Sequence, residues 1–169
     1  YGYHACQAAL SNPKRIIDKV FITDSKQLES LPSLRGIKSE IVDRKQLEKL
    51  LPIGAVHQGI ALSVQPLKNE GLEFLDTISN QNQRLIILDQ VNDPHNVGAI
   101  LRSAAVFGAS AIVMTERNAP KESGTLAKIA SGALELVPLC VVKNLGQALE
   151  ELKQIDRKST RLNSSHITL

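Results

Sequence analysis

The feature that most constrains this chain is an unbroken apolar run, Leu85 to Leu88, which passes through the turn-forming residues DPHN straight into a helical pattern. Four consecutive apolar residues leave no polar face, so the run predicts a strand covered on both sides. Asp93 and Asn96 are residue types that accept hydrogen bonds from the free amides of a helix start, and Pro94 restrains the turn between them. A helix is expected from near Val97. Its stripe would be Val97, Ile100, Leu101, Ala104 and Ala105, spaced i, i+3, i+4, i+7 and i+8. Arg102 falls roughly 130° from the centre of that stripe at about 100° per residue. Its guanidinium is therefore expected to point away from the core, toward the carboxyl ends of the strands, where open α/β sheets bind ligands.

The same strand and helix alternation recurs on both sides. Upstream, Val20–Thr23, Ser39–Val42 and Ala61–Gln65 read as strands, with helices over 1–13, 25–31 and 44–51, which makes a small α/β domain. Residues 66–83 mix Pro, Gly, Asn and Gln and read as a linker. Downstream, Ser110–Met114 and Pro138–Val142 are further strands, separated by GTLAKIASGA, and Asn144 is placed to cap a helix running to Lys153. Strands separated by helices at this spacing predict a parallel sheet with right-handed crossovers. The fold class is thus α/β, with a substrate-binding domain at 1–67, a linker at 68–82, an incomplete parallel-sheet domain at 83–155 and a tail at 156–169.

Charge gives modest help. Residues 1–67 hold nine Lys/Arg against six Asp/Glu, the linker is acidic, residues 83–155 balance, and the tail is basic. Lys14, Arg15 and Lys19 cluster after the first helix and are candidates for phosphate contact, with plain surface charge as the alternative. Aromatic content of 3% argues against an RNA binder that stacks bases across a sheet. Cys6 and Cys140 have no metal-ligand spacing, so neither a zinc site nor a disulfide framework is expected. With no apolar run long enough for a membrane helix, a soluble cytoplasmic protein is the expectation. The chain begins at Tyr1 rather than Met, which suggests that it starts inside a longer protein.

NDPHNVGAILRSAAVFGA closely resembles the first signature of the SpoU (TrmH) family of RNA ribose 2'-O-methyltransferases, in the knotted SPOUT superfamily. VHQGIALSVQPL and ASGALELVPLCVVKNLGQALEELK are similar to the same family, in the branch that modifies a guanosine of large-subunit ribosomal RNA. The resemblance implies S-adenosylmethionine as cofactor, ribosomal RNA as partner and a homodimer. It makes Arg102 and Asn96 the catalytic pair, and it makes His57 and Gln58, in the HQG segment, RNA contacts, which would join the phosphate contacts that charge clustering suggests for Lys14 and Arg15. For His57 and Gln58 the alternative is a turn fixed around Gly59. A guanidinium with a pKa above 12 is a poor base. Arg102 is better suited to orient the hydroxyl and adjacent phosphate and to stabilise the alkoxide, with Asn96 holding Arg102 or the ribose, or simply capping the helix.

The later signatures of the family, a Gly-Glu-Gly loop and a Ser-Leu-Asn run, do not follow. DRKSTRLNSSHITL reads like translated cloning sequence, and its Leu162-Asn163-Ser164 is a chance echo. Cofactor-site residues are therefore not assigned, and this stretch of chain is expected to be inactive by itself, with an apolar sheet edge left open. Three alternatives stay in play: a noncatalytic RNA-binding fragment, a transfer-RNA ribose methyltransferase of the same family, and a Rossmann-type dinucleotide enzyme. The last is disfavoured because DPHNVGA carries a single glycine instead of GxGxxG.

Overall fold

The computed structural model describes residues 1–29, 31, 34, 36–77 and 84–154. The end of the helix expected to reach Leu31, the second half of the linker and the segment 156–169 read as foreign lie outside the described residues or at their margin. The first half runs α1 (Tyr3–Ser11), β1 (Ile17–Ile22), α2 (Ser25–Glu29), β2 (Ser39–Ile41), α3 (Arg44–Lys49) and β3 (Ile60–Val64). β1 is the central strand of a mixed sheet, parallel to β2 and antiparallel to β3. It starts three residues before the expected Val20, because Ile17 pairs with Val64 and the polar Asp18 and Lys19 hide the period at a register shift. Val20 and Ile22 then fill the core with Cys6 and Leu10 of α1 and Ile60 of β3. α3 is bounded by a capping box, in which Asp43 accepts from the Gln46 amide while the Gln46 side chain accepts from the Asp43 amide. Of its expected apolar side, Leu47 is fully buried, Leu51 half-buried and Leu50 exposed.

The second half runs α4 (Phe74–Thr77), β4 (Leu85–Leu88), α5 (Pro94–Val106), β5 (Ala111–Thr115), α6 (Gly124–Ala130), a short 3-10 turn (Ala133–Glu135), β6 (Leu139–Val142) and α7 (Leu145–Gln154). The three strands form a parallel sheet in the order β4-β5-β6, as the sequence pattern predicts. Central β5 is buried on both faces, and its period of two sorts the two cores. Ile112 and Met114 pack with Val97, Leu101 and Ala104 of α5 and with Leu126 and Ala130 of α6. Ala111 and Val113 face the other way, onto Leu75 of α4, Cys140 and Leu152 of α7. Both cysteines are buried and unbridged, and burial pushes the Cys140 thiol up to about 11, with Glu70 and Glu73 adding to it. Cys140 stays protonated at neutral pH.

The linker is not a free tether in its first half. Glu70 bridges to the outer edge of β6, its amide donating to Leu139 O at 3.1 Å and its carbonyl accepting from Val141 N at 2.8 Å. Leu72, Phe74 and Leu75 pack beneath the sheet. The edge expected to be open on this side is thus partly hydrogen-bonded by the chain itself.

Gly98 fixes the approach of α5 and α6. A Cβ there would lie 2.7 Å from Ile129 Cγ2, 2.9 Å from Ile129 Cβ and 3.2 Å from the Ala130 amide nitrogen. Alanine is favoured over glycine inside a helix by about 1 kcal/mol, yet overpacking a tight contact costs about 1–3 kcal/mol. Because the obstacles are a branched Cβ and a backbone atom, the clash should prevail. Gly98→Ala is expected to lose about 1–2 kcal/mol in urea unfolding; a stabilised variant would show that α6 yields freely.

Candidate functional site

The expected catalytic residues sit on α5, and the structure moves the helix start. Asp93, not Asn96, is the N-cap: its side chain accepts from the His95 amide at 3.0 Å, and Pro94 occupies the first helical turn. Proline has no amide to lose there and its φ is already helical. Asn96 is therefore an exposed first-turn residue and not the cap. The predicted stripe holds, with Val97, Leu101 and Ala104 buried and Ile100 and Ala105 half-buried. Arg102 is exposed, and among the described residues it has no hydrogen-bond or ion-pair partner. Asn96 and Arg102 stand six positions apart, about 9 Å along the axis, and no hydrogen bond joins them among the described residues. Arg102 also lies about 12 Å along the helix from Pro94, on its outer face and not directly over the strand ends.

At the strand ends themselves, Asp89 to Asp93 form an exposed loop from which Val91 reaches back to the core. Gln90 is left-handed, with φ 58°. Such backbone is uncommon for a residue with a side chain, and it concentrates at functional loops. Nothing in the sequence marks Gln90, since glycine or asparagine would be the usual signal there.

The HQG segment is a rigid turn. Gln58 and Gly59 have φ of 56° and 82°. His57 is buried, and its Nδ1 accepts from the Gly59 amide at 3.0 Å, while its Nε2 lies 3.9 Å from Glu48. Of the two roles expected for His57, the geometry is that of the turn-holder. Gln58 is exposed, but its Oε1 accepts from the Tyr3 amide at 3.1 Å and from Lys128 Nζ at 2.5 Å. Lys128 belongs to α6, so this side chain joins the two halves of the chain. Lys14 stays on the surface, with its ammonium 5.8 Å from the centre of the Phe74 ring.

Arg15, also expected at phosphate, is buried instead. Its Nε donates to both oxygens of Glu135 at 3.1 Å, Nη2 to Glu135 Oε1 at 2.5 Å, and Nη1 to Glu122 Oε1 at 2.6 Å and to Gln65 O at 2.9 Å. Its side chain is 1% exposed, against 5% for Glu135 and 18% for Glu122. Burial alone would lower the guanidinium pKa, but hydrogen bonds and charge from Glu135 and Glu122 outweigh it and the net shift is upward. Asn12 Nδ2 adds a bond to Glu135 at 2.8 Å, and the Leu67 amide one to Glu122 at 2.8 Å. The phosphate assignment for Arg15 is corrected on this ground: its charge is spent on two carboxylates of the second half. Sequence reading missed these partners because they stand 107 and 120 residues away.

A parallel α/β sheet with an exposed arginine on its first crossover helix, joined to a small mixed-sheet domain, defines a class that sequence comparison names. Residues 83–168 match the SpoU rRNA Methylase family, and residues 1–70 match the RNA 2'-O ribose methyltransferase substrate binding domain. The chain belongs to the SpoU family. It is 40% identical over 162 residues to a 23S rRNA (guanosine-2'-O-)-methyltransferase RlmB of Pasteurella multocida, covering 91% of this chain and 66% of that protein. It is 35% identical over 162 residues to the RlmB of Escherichia coli K12, with coverages of 91% and 66%. The chain thus spans just under two thirds of the length of these relatives. Among solved structures, the SpoU methyltransferase AviRb of Streptomyces viridochromogenes, in complex with AdoMet, shares the fold at TM-score 0.70 and 18% identity, covering 92% of this chain and 58% of that one. An AdoMet-bound rRNA methyltransferase of Sinorhizobium meliloti does so at TM-score 0.69 and 19% identity, covering 90% and 56%.

Proposed function

We propose that the protein to which this chain belongs transfers a methyl group from S-adenosylmethionine to a ribose 2'-hydroxyl of RNA, at a guanosine of large-subunit ribosomal RNA. The observation that carries this reading is the exposed, unpaired Arg102 on α5, in a chain whose two halves match a substrate-binding and a methylase family in the expected order. The described residues do not enclose a cofactor site. They supply the left-handed loop at the end of β4, while the two described cavities lie beside α3 and between α1 and the loop before α6.

What this chain contributes is a positioned cation. Arg102 keeps its donors free for the ribose oxygen and the adjacent phosphate, where a preformed positive group favours the developing negative charge. It does not take the proton, for the reason of its basicity. Asn96, one turn from the loop, is placed to meet the nucleotide and not Arg102. A homodimer in the cytoplasm completes the reading. Val106 and Phe107 lie exposed at the end of α5 beside Arg102, which suits a face covered by a second subunit, and no described helix is long and apolar enough to cross a membrane.

The test is methyl transfer by a polypeptide carrying this sequence at the length of its relatives. With methyl-labelled S-adenosylmethionine and large-subunit ribosomal RNA, label should appear as 2'-O-methylguanosine. Label in transfer RNA alone would move the substrate assignment, and label in neither RNA would sink the proposal.

A further inference from the structure

A cleft of about 1040 Å³ opens in the first half of the chain, between α3 and the loop from Pro52 to Gly59. It is separate from α5 and from the seam around Arg15. One wall carries Arg44, Lys45 and Lys49 against a single acid, Glu48. Arg44 pairs with Glu48 at 3.0 Å, whereas Lys45 and Lys49 are exposed and have no ion-pair partner among the described residues. These two lysines stand i, i+4 on α3, about 6 Å apart at Cβ. The opposite lip carries Ile53, fully exposed, and Val56, largely so.

The lip is not slack chain. The Ala55 amide donates to Pro52 O at 3.0 Å, Gly54 is left-handed, and the turn behind it is held by the His57 and Gly59 bond and by the Thr23 amide on Gly59 O at 2.9 Å. Two aliphatic side chains are thus held rigidly in water opposite two unpaired cations. Exposure of single apolar residues is ordinary, but paired on a fixed loop across a cationic cleft they describe a ligand.

We propose that this cleft takes an unpaired nucleotide of the RNA substrate, with its flanking phosphates on Lys45 and Lys49 and its base lying on Ile53 and Val56. This rests on the proposed function and names where the substrate is gripped. A nucleotide presents an uncharged planar face within a few ångströms of anionic oxygens, which matches a split between aliphatic lip and cationic wall. An acidic peptide offers carboxylates on flexible stems and no flat face. A base inside a duplex has both faces stacked, so the occupant comes from a loop, a bulge or an end.

Binding of the intact chain to a fluorescein-labelled RNA hairpin with an unpaired loop, and to a blunt duplex of the same stem, tests this across a salt series. Lys45→Ala with Lys49→Ala should weaken hairpin binding and flatten the salt slope by about 2, one for each lost phosphate contact. Ile53→Ala with Val56→Ala should weaken hairpin binding roughly tenfold, leave duplex binding alone and keep the slope unchanged. All four positions are exposed, so thermal midpoints should stay at the wild-type value. If both double variants bind the hairpin like wild type, the cleft is not the grip, while RNA as substrate stands. Equal losses on hairpin and duplex overturn the unpaired nucleotide, and so does competition by poly-glutamate as effective as by the hairpin. No binding of either RNA by wild type overturns this inference together with the function on which it rests.

Discussion

Arg15→Ala is expected to cost about 3–5 kcal/mol of unfolding free energy, the range for breaking a buried ion pair by removing one partner. The magnitude follows from what is left behind. Glu135 and Glu122 would face each other across a cavity without a cation, and Glu135 is almost wholly out of water. An exposed pair such as Arg44 with Glu48 would cost at most about 1 kcal/mol under the same treatment. Arg15→Lys should recover only part of the loss, since a point charge cannot serve both carboxylates in the geometry of the fork. Combining Arg15→Met with Glu135→Leu should cost less than the sum of the single changes, because the double change removes the more deeply buried of the two carboxylates along with its partner and leaves only the more exposed Glu122. Urea titration reads all of these. A loss below 1 kcal/mol for Arg15→Ala would mean that water or the Asn12 amide relieves Glu135 and that the seam contributes little.

Arg102→Ala should reduce methyl transfer at least about 100-fold, the scale for removing one donor aimed at developing negative charge. Stability should change by no more than about 0.5 kcal/mol, as for other surface positions away from packed features. Arg102 is exposed and lies off the buried stripe of α5, so the two readouts separate cleanly. Arg102→Lys should stay near the alanine level if the planar fork holds both ribose and phosphate. The assay uses the protein at the length of its relatives. A variant that unfolds while its folded fraction keeps normal specific activity would make Arg102 structural and leave the reaction without its cation.

Much of the second half was legible because its signals are local. Leu85 to Leu88 is apolar without a break, the α5 stripe recurs at a strict period, and Asn144 caps α7 by accepting from the Gly146 and Gln147 amides. Where two residues carried the same signal, the reading slipped. Asp93 and Asn96 both suit a helix cap, and Pro94 decides between them only when it is taken as the first helical residue. Arg15 was illegible for another reason: a basic residue near other basic residues says phosphate, and its carboxylates come from a loop and a 3-10 turn more than a hundred positions on. The linker's composition suggested slack, but one backbone bridge at Glu70 and one buried leucine at position 75 are enough to pin it. The backbone strain at Gln90 and the cleft at α3 arise from tertiary arrangement and have no counterpart in residue type.

α5 and α6 lie on one face of the parallel sheet, whereas α7 lies on the other with α4. Connections between parallel strands are right-handed in about 98% of cases, so the side on which a helix packs dictates the direction in which the chain travels across the sheet. Helices on the first face carry it from β4 toward β6. A helix on the second face turns it back. Any parallel strand reached from α7 is thereby steered past β5 to the free side of β4, while the far side of β6 is already engaged by Glu70. Growth of the sheet has one open direction, and it leads to the strand whose carboxyl end carries Gln90 and the start of α5. A strand laid there would reverse the winding at the exposed loop that precedes Arg102, and that loop would then form one wall of a crevice.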